Sequence, residues 1–248
     1  MTNAESFGRN VAAYAAGRPT YPDALYDWVA AQAPARRVAW DVGCGSGQST
    51  LKIADRFDRV HGTDISPDQI QAAARGANIQ YAVAPAHETG LPAGVADAIC
   101  VATALHWFDF DLFWPEVARV AAPGALFAAW AYHRIDVDED VNAAVMGPVN
   151  AILEPYWAEG NRLSWRGYPA SEIGMPFAAI KAPAFALELN WTPSQLIDFV
   201  RTWSAHVRAR DDGKGDALAA VEAEAIERLG DAPRRVVMPL AMVAARVS

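Results

Sequence analysis

Asp41-Val42-Gly43-Cys44-Gly45-Ser46-Gly47-Gln48 is the stretch on which the reading of this chain turns. It follows a short apolar run, Arg37 to Gly43. It precedes Ser49 to Phe57, where Leu51, Ile53, Ala54 and Phe57 fall on one side of a helix. A buried strand that passes through glycines into a helix is the ligand-binding turn of an open parallel sheet. Glycines there let backbone amides approach a ligand closely. Asp64 ends the next strand-like run, Arg59 to Asp64, about 20 residues further on, where a carboxylate can accept both hydroxyls of a ribose.

Which nucleoside the turn takes is a matter of spacing and charge. The dinucleotide fingerprint is G-x-G-x-x-G, and it seats a pyrophosphate on the helix N-terminus. Here the spacing is G-x-G-x-G, and Asp41 stands two residues before the first glycine. An acid in that place repels a pyrophosphate and welcomes an ammonium group. S-Adenosylmethionine has an ammonium and no phosphate, so the turn reads as its site.

Working outward, strands and helices alternate. Ser66 is a good N-cap before Pro67, with a helix expected to about Gly76. Ile79 to Ala84 and Ala96 to Thr103 read as the third and fourth strands. Leu112 to Val120 reads as a helix stopped by Pro123-Gly124, and Ala125 to Tyr132 as the fifth strand. This order implies an α/β fold with a parallel sheet and helices on both faces. After Tyr132 the rhythm changes. Asp138 to Trp157 reads as a helix interrupted near Gly147-Pro148, and Asn161 to Phe177 as a loop. Phe185 to Trp191 alternates like a strand. Thr192, Pro193 and Gln195 open a helix with a near capping box, and Asp216 to Leu229 is another helix. Val236 to Val247 reads as a strand with an edge or bulge at Pro239, forming a closing hairpin with its predecessor.

Composition removes several classes. The 248 residues are 52% hydrophobic and 20% charged, too apolar for disorder. A net charge of −8 speaks against nucleic acid, whose binding rests on Lys and Arg neutralising phosphates. Cys44 and Cys100 cannot build a disulfide framework, which suits a reducing, cytoplasmic location. Met1 to Ser6 has neither a basic nor an apolar run of the secretory kind. The longest apolar stretches, such as Ala121 to Tyr132, are too short to span a bilayer, so no membrane partner is expected. The five histidines are scattered, so no metal is expected.

The glycine turn resembles motif I of class I S-adenosylmethionine-dependent methyltransferases. The chain further resembles the trans-aconitate methyltransferase-like branch of the type-11 methyltransferases. The matching stretches are Tyr14 with Arg18-Pro19-Thr20-Tyr21-Pro22, Trp40 to Thr50, and Gly62-Thr63-Asp64-Ile65-Ser66. Ala104-Leu105-His106-Trp107-Phe108-Asp109, Glu154-Pro155-Tyr156-Trp157 and Arg201-Thr202-Trp203-Ser204-Ala205 continue the match. The resemblance implies a Rossmann-like, doubly wound seven-stranded sheet with one antiparallel strand, in a single domain over 1–248. Residues 1–35 would be lid helices and 36–132 the cofactor-binding core. Residues 133–183 and 193–230 would form a substrate cap, and 184–192 and 233–247 the closing hairpin strands. It also implies that Asp41, Gly43, Gly45 and Gln48 hold the methionine part of the cofactor. Asp64 would hold the ribose, with Ile65, Gln69, Ala86, His87 and Ala104 around the nucleoside. Tyr14 and Arg18 would close over it as a lid. Pro85 and His87 depart from the acidic or polar residues many relatives carry in the adenine-edge loop.

The acceptor is a small molecule on this reading. Salicylate-type and juvenile hormone acid methyltransferases resemble the Leu105-His106-Trp107 stretch, and in them the matching tryptophan donates its N–H to a substrate carboxylate. Trp107 is therefore the expected acceptor anchor, and a donor-only indole suits that task. A carboxylate has a pKa of about 4 and needs no general base. A neutral hydroxyl or amine would want one, with His106 or His133 the first candidates. Tyr132, Arg162, Arg166, Arg201 and Trp203 are expected to line the acceptor site, arginine being suited to bidentate carboxylate binding. A methyl ester is thus the expected product, with N-, S-, C- or hydroxyl O-methylation as the alternative. A nicotinamide-dependent oxidoreductase and a non-catalytic nucleoside-binding protein remain as rivals of other classes.

Overall fold

The computed structural model describes residues 18–132 and 134–247; Tyr14 and His133 lie outside them. β1 (Val38–Val42) is buried on both faces from Ala39 onward, as a continuous apolar run in a parallel sheet must be. It pairs in parallel with β2 (Arg59–Asp64) on one side and β4 (Ala96–Ala102) on the other. β3 (Ile79–Val83) extends the sheet beyond β2, and β5 (Ala121–Tyr132) beyond β4. The antiparallel strand is β8 (Arg234–Val247), beside β5. The far side of β8 is shared by β6 (Ala178–Ala179) and β7 (Ala186–Trp191), so the strands number eight where seven were expected.

Pro239 marks the division. Residues Leu240 to Val247 of β8 pair with β5, and Arg234 to Pro239 pair with β7. A residue without an N–H fits where a long strand changes partners. β7 and β8 pair antiparallel, but the chain between them runs through helices, so no tight hairpin turn joins them.

Period-two alternation sends side chains to opposite faces of the sheet. Trp40, Val42, Ile99, Val101 and Phe127 join α4 (Phe110–Val120) in one core. Ala39, Ala98, Cys100, Leu126 and Trp130 join α1 (Asp23–Gln32) in the other. Leu25, Tyr26, Val29 and Ala30 are buried there, so α1 is part of the core and the described part of the expected lid shrinks to the residues before it. A third cluster sits outside the sheet. It packs Val145, Val149 and Leu153 against Leu196, Val200 and Leu218. These come from α5 (Gly147–Leu153), α7 (Pro193–Arg201), α8 (Gly215–Leu229) and a π turn at Asn142–Met146.

Several boundaries differ from the sequence expectation for tertiary reasons. The helix after Ser66, α3 (Pro67–Ala72), ends early because Ala74 is drawn out to bond Ser46 and the Tyr81 hydroxyl. Pro123-Gly124 lies inside β5, and α4 ends at Val120 with the strand following at once. The stretch expected as loop contains α6 (Glu159–Trp165) and a helical turn at Ala170–Ile173. Its aromatics divide: Tyr168 and Phe177 pack on the core of Trp40 and Phe127, while Trp165 lines a cavity under the outer helices, so they follow no simple amphipathic period. Thr192 and Gln195 complete a full capping box.

Asp97 anchors the opposite end of the central strands. It is fully buried and accepts from the Arg37 and Val38 amides and from the Arg37 guanidinium at 2.7 Å. Burial raises its pKa, but these donors outweigh burial and hold it below the ordinary range. Asp97→Ala is expected to cost about 3 kcal/mol in urea unfolding, because buried donors lose their acceptor. A loss below about 0.5 kcal/mol, the level of an ordinary surface change, would contradict this anchor.

Candidate active site

β1 and β4 are neighbours, so the loops leaving their carboxyl ends lie side by side. The first loop alternates left-handed glycines, with φ of +65° at Gly43, +53° at Gly45 and +82° at Gly47. The second carries Thr103 and Ala104 into a single 3-10 turn, Leu105–Trp107. The two loops are jammed together. A Cβ on Gly43 would lie 2.7 Å from Ala104 Cβ and 3.2 Å from Phe108 Cζ. At Gly45 a Cβ would meet only Gln69 Oε1, at 3.7 Å, which leaves a cradle at the surface of the loop.

Asp64 ties the next strand to this cradle. Its Oδ2 accepts from the Gly45 amide and its Oδ1 from the Ser66 amide, both at 2.9 Å. Burial raises its pKa, and the amides from Ser66 and Gly45 counter that. Asp41 is fully buried one layer behind the loop. Its Oδ2 accepts from the Thr50 hydroxyl at 2.6 Å, while Oδ1 is buried with no hydrogen-bond partner among the described residues. Burial, against the Thr50 bond and with help from the Asp64 charge, pushes its pKa up to about 7. Tyr81 covers Gly47, leaving no room for a side chain at the start of α2 (Gln48–Ala54).

In front of this loop is a cavity of about 460 Å³. Arg18, Gly43, Gly45, Gln48, Asp64, Ile65, Gln69, Ala86, His87 and Ala104 all line it, as the sequence places them. Asp41 does not reach its wall. The residues fit S-adenosylmethionine: a buried acid, Asp41, behind the loop whose charge favours a cationic amine in front of it, an amide-held carboxylate for a ribose, and Ile65, 60% exposed, as an apolar face for a base.

A second cavity, of about 440 Å³, lies under the outer helices. Arg18, Thr103, Trp107 and Tyr132 line both cavities and so form their shared wall. The remainder of the second wall mixes four aromatic rings, Trp157, Trp165, Phe199 and Trp203, in ring contact with one another, with polar side chains that include Asn142, Asn150, Glu154 and Asn161. Trp107, Tyr132, Trp203 and His106 are on this lining. Arg162, Arg166 and Arg201 do not line it. Each is paired with carboxylates instead: Arg162 with Glu154 at 2.8 Å, Arg166 with Glu172 at 2.6 Å, and Arg201 with Glu222 at 2.6 Å. The arginines on the lining are Arg18 and Arg134, the latter 2.8 Å from Asp136.

Arg18 is held from several sides. Its Nε donates to Thr202 Oγ1 at 3.2 Å, and its guanidinium lies 5.6 Å from the Tyr132 ring and 5.5 Å from the Phe199 ring. His106 is buried, with Nδ1 2.9 Å from the Tyr168 hydroxyl. Burial first, and the Arg18 charge second, push its pKa down to about 4. It is neutral at pH 7 and a weak base. Tyr168 and Thr103 are the described non-glycine residues with positive φ, at +54° and +53°. Sequence reasoning missed Tyr21, Thr103, Arg134 and Tyr168. Tyr21 had a signal, since it belongs to the Arg18 to Pro22 motif; the others had none.

Gly43→Ala is expected to push the two loops apart and weaken S-adenosylmethionine binding roughly tenfold or more, since strain of 1–2 kcal/mol at a left-handed position already has that size. Wild-type affinity in calorimetry would contradict the packed cradle.

Comparison with known proteins agrees with this geometry. Residues 40–129 match a family model described as a methyltransferase domain. An uncharacterized methyltransferase of Mycobacterium tuberculosis is 39% identical over 200 residues, covering 80% of this chain and 76% of that protein. A Dictyostelium discoideum protein named as a methyltransferase is 28% identical over 222 residues, covering 88% and 84%. A solved structure from Anaeromyxobacter dehalogenans, described as a type II methyltransferase, superposes with a TM-score of 0.83. It shares 40% identity and covers 93% of this chain and 98% of its own.

Proposed function

The chain belongs to the class I S-adenosylmethionine-dependent methyltransferases, and on that premise we propose that it forms the methyl ester of a small carboxylic acid held in the second cavity. The observation that carries this reading is Arg18 in the wall shared by both cavities, beside Trp107. The bound cofactor supplies an electrophilic methyl group on a sulfonium. The chain supplies placement.

Arg18 is fixed by Thr202 at Nε and flanked by two rings, so its fork is pre-organised for a carboxylate. Trp107 adds an indole N–H, which can only donate. A carboxylate arrives already ionised. Its oxygen lone pair forms the new O–C bond as the S–C bond breaks onto sulfur, so the two charges neutralise and no proton moves. This matches the described side chains on the lining. His106 holds its proton only below about pH 4 and is bonded to Tyr168. Glu154, also on the lining, is paired with Arg162. The aromatic rings beside Arg18 displace water locally and strengthen the electrostatic contacts there. Aligning three atoms in such a site can lower a barrier by several kcal/mol, roughly 7 or more in favourable intramolecular cases.

The test uses methyl-labelled S-adenosylmethionine and a pool of di- and tricarboxylic, 2-oxo and aromatic acids, with base treatment of the product. Labelled methanol released by base is the expected result; a base-stable label would remove the ester and return the amine, thiol, carbon and hydroxyl acceptors. Arg18→Ala is expected to raise the acceptor KM about tenfold or more, the cost of losing a charged partner, with little change in thermal midpoint.

Asp41 gives a pH dependence. Its folded pKa of about 7 lies above the ordinary carboxylate value, so the carboxylate form gains population as pH rises through 7. Ionising it destabilises the ligand-free fold between about pH 4 and 7, and a cationic amine nearby offsets that cost. Cofactor affinity is therefore expected to tighten several-fold, at most about tenfold per pH unit, from pH 6 to 7.5. Asp41→Asn should flatten that profile; an unchanged slope in the variant would detach Asp41 from the cofactor.

A further inference from the structure

Thr103 has a β-branched side chain in a left-handed backbone conformation, with φ of +53°. Glycine or asparagine adopts that conformation at lower cost. The strain is held from three directions. The Thr103 amide donates to the Trp130 carbonyl at 2.7 Å. The next residue, Ala104, is pressed onto Gly43, where no Cβ fits. The Thr103 hydroxyl lies 2.5 Å from the Tyr21 hydroxyl. Tyr21 is itself locked by stacking on Tyr132 and by an edge contact with Trp130. The fold alone gives no reason to keep a threonine in this place, and strained residues of this kind cluster at functional sites.

Its location supplies a reason. Thr103 is one of the residues that line both cavities, so it faces the place where the methyl group crosses. Tyr21 also bonds the Tyr132 hydroxyl, whose own O–H is given to the Pro19 carbonyl, so the protons left to arrange are those of Tyr21 and Thr103. Tyr21 stays protonated, since burial pushes its pKa well above the ordinary phenol value. When Tyr21 donates to Thr103 Oγ1, the Thr103 O–H is left to donate to an oxygen anion at the wall.

We propose that Thr103 contacts the acceptor and fixes its reacting oxygen in line with the methyl group, and that Tyr21 acts through it as a positioning residue. This rests on the shared wall being the site of transfer. It extends the proposed function with a pair of hydroxyls that neither the glycine turn nor the Leu-His-Trp stretch announces.

The experiment takes Thr103→Val, Thr103→Ser, Tyr21→Phe and the double variant of Thr103→Val with Tyr21→Phe. Each is assayed with labelled S-adenosylmethionine and whichever acids of the pool above become labelled. Thr103→Val is expected to lower kcat about tenfold to a hundredfold, as misplacement of reacting atoms does, with cofactor Kd within about twofold of wild type. Thr103→Ser keeps the hydroxyl and should recover most of the rate. Tyr21→Phe should lower kcat in the same direction, and the double variant should be no slower than Thr103→Val alone, because the two act as one unit. A Thr103→Val enzyme with wild-type kcat, or fully additive losses, overturns the proposal. So does failure of Thr103→Ser to recover when its cofactor affinity and thermal midpoint are intact. A base-stable product whose rate still depends on the Thr103 hydroxyl would end the carboxylate reading and leave this inference standing.

Discussion

The close approach of two loops at the carboxyl ends of β1 and β4 governs the site. Gly43 has no side chain because Ala104 and Phe108 occupy the space where one would stand. That contact sets the left-handed path of the glycine turn on one side and the strained Thr103 on the other. Everything downstream inherits it. The Gly45 amide is brought to Asp64, the cradle opens in front of the turn, and the 3-10 turn carrying His106 and Trp107 starts where Ala104 leaves the contact.

Charge is arranged in the same graded manner. Asp41 lies behind the cofactor cavity, fully buried, with one oxygen bonded and the other not. Arg18 lies in front, where the two cavities meet. Asp41 is thereby kept from the second cavity and Arg18 set on it, an arrangement that suits the proposed cation in one cavity and anion in the other. The Tyr132 and Phe199 rings against Arg18 lower the local dielectric and make its placement count for more. The arginines of the outer helices contribute to shape instead. Arg201 joins α7 to α8 through Glu222, and Arg166 joins α6 to the turn at Ala170–Ile173 through Glu172.

The sheet was legible in the sequence because its signal is local. A strand such as Val38 to Val42 ends at a glycine turn, and its largely apolar run follows from burial on both faces. The cofactor side was legible for the same reason, since its residues come from turns that directly follow strands. Asp41 was the exception in position, being read at the ligand and found one layer behind it. The acceptor side was much less legible. Its residues come from Arg18, the Thr103 turn, the π turn at Asn142–Met146 and α7, which meet only after the chain has folded. An arginine in an aromatic segment looks the same whether it faces a cavity or a glutamate. Arg162, Arg166 and Arg201 were read as the former and pair as the latter, because their partners lie on the same or adjoining helices. Pro239 also needed the third dimension: an edge or a bulge was the expectation, and the strand changes partner there.

The central claim is that the two cavities meet at one wall and that the reaction happens there. A crystal structure of the protein with S-adenosylhomocysteine bound tests it directly. The account requires the sulfur to lie against Thr103, Trp107 and Tyr132, with the ribose on Asp64 and the second cavity opening beyond the sulfur. A sulfur directed away from that wall, or a ribose held elsewhere than on Asp64, would contradict it.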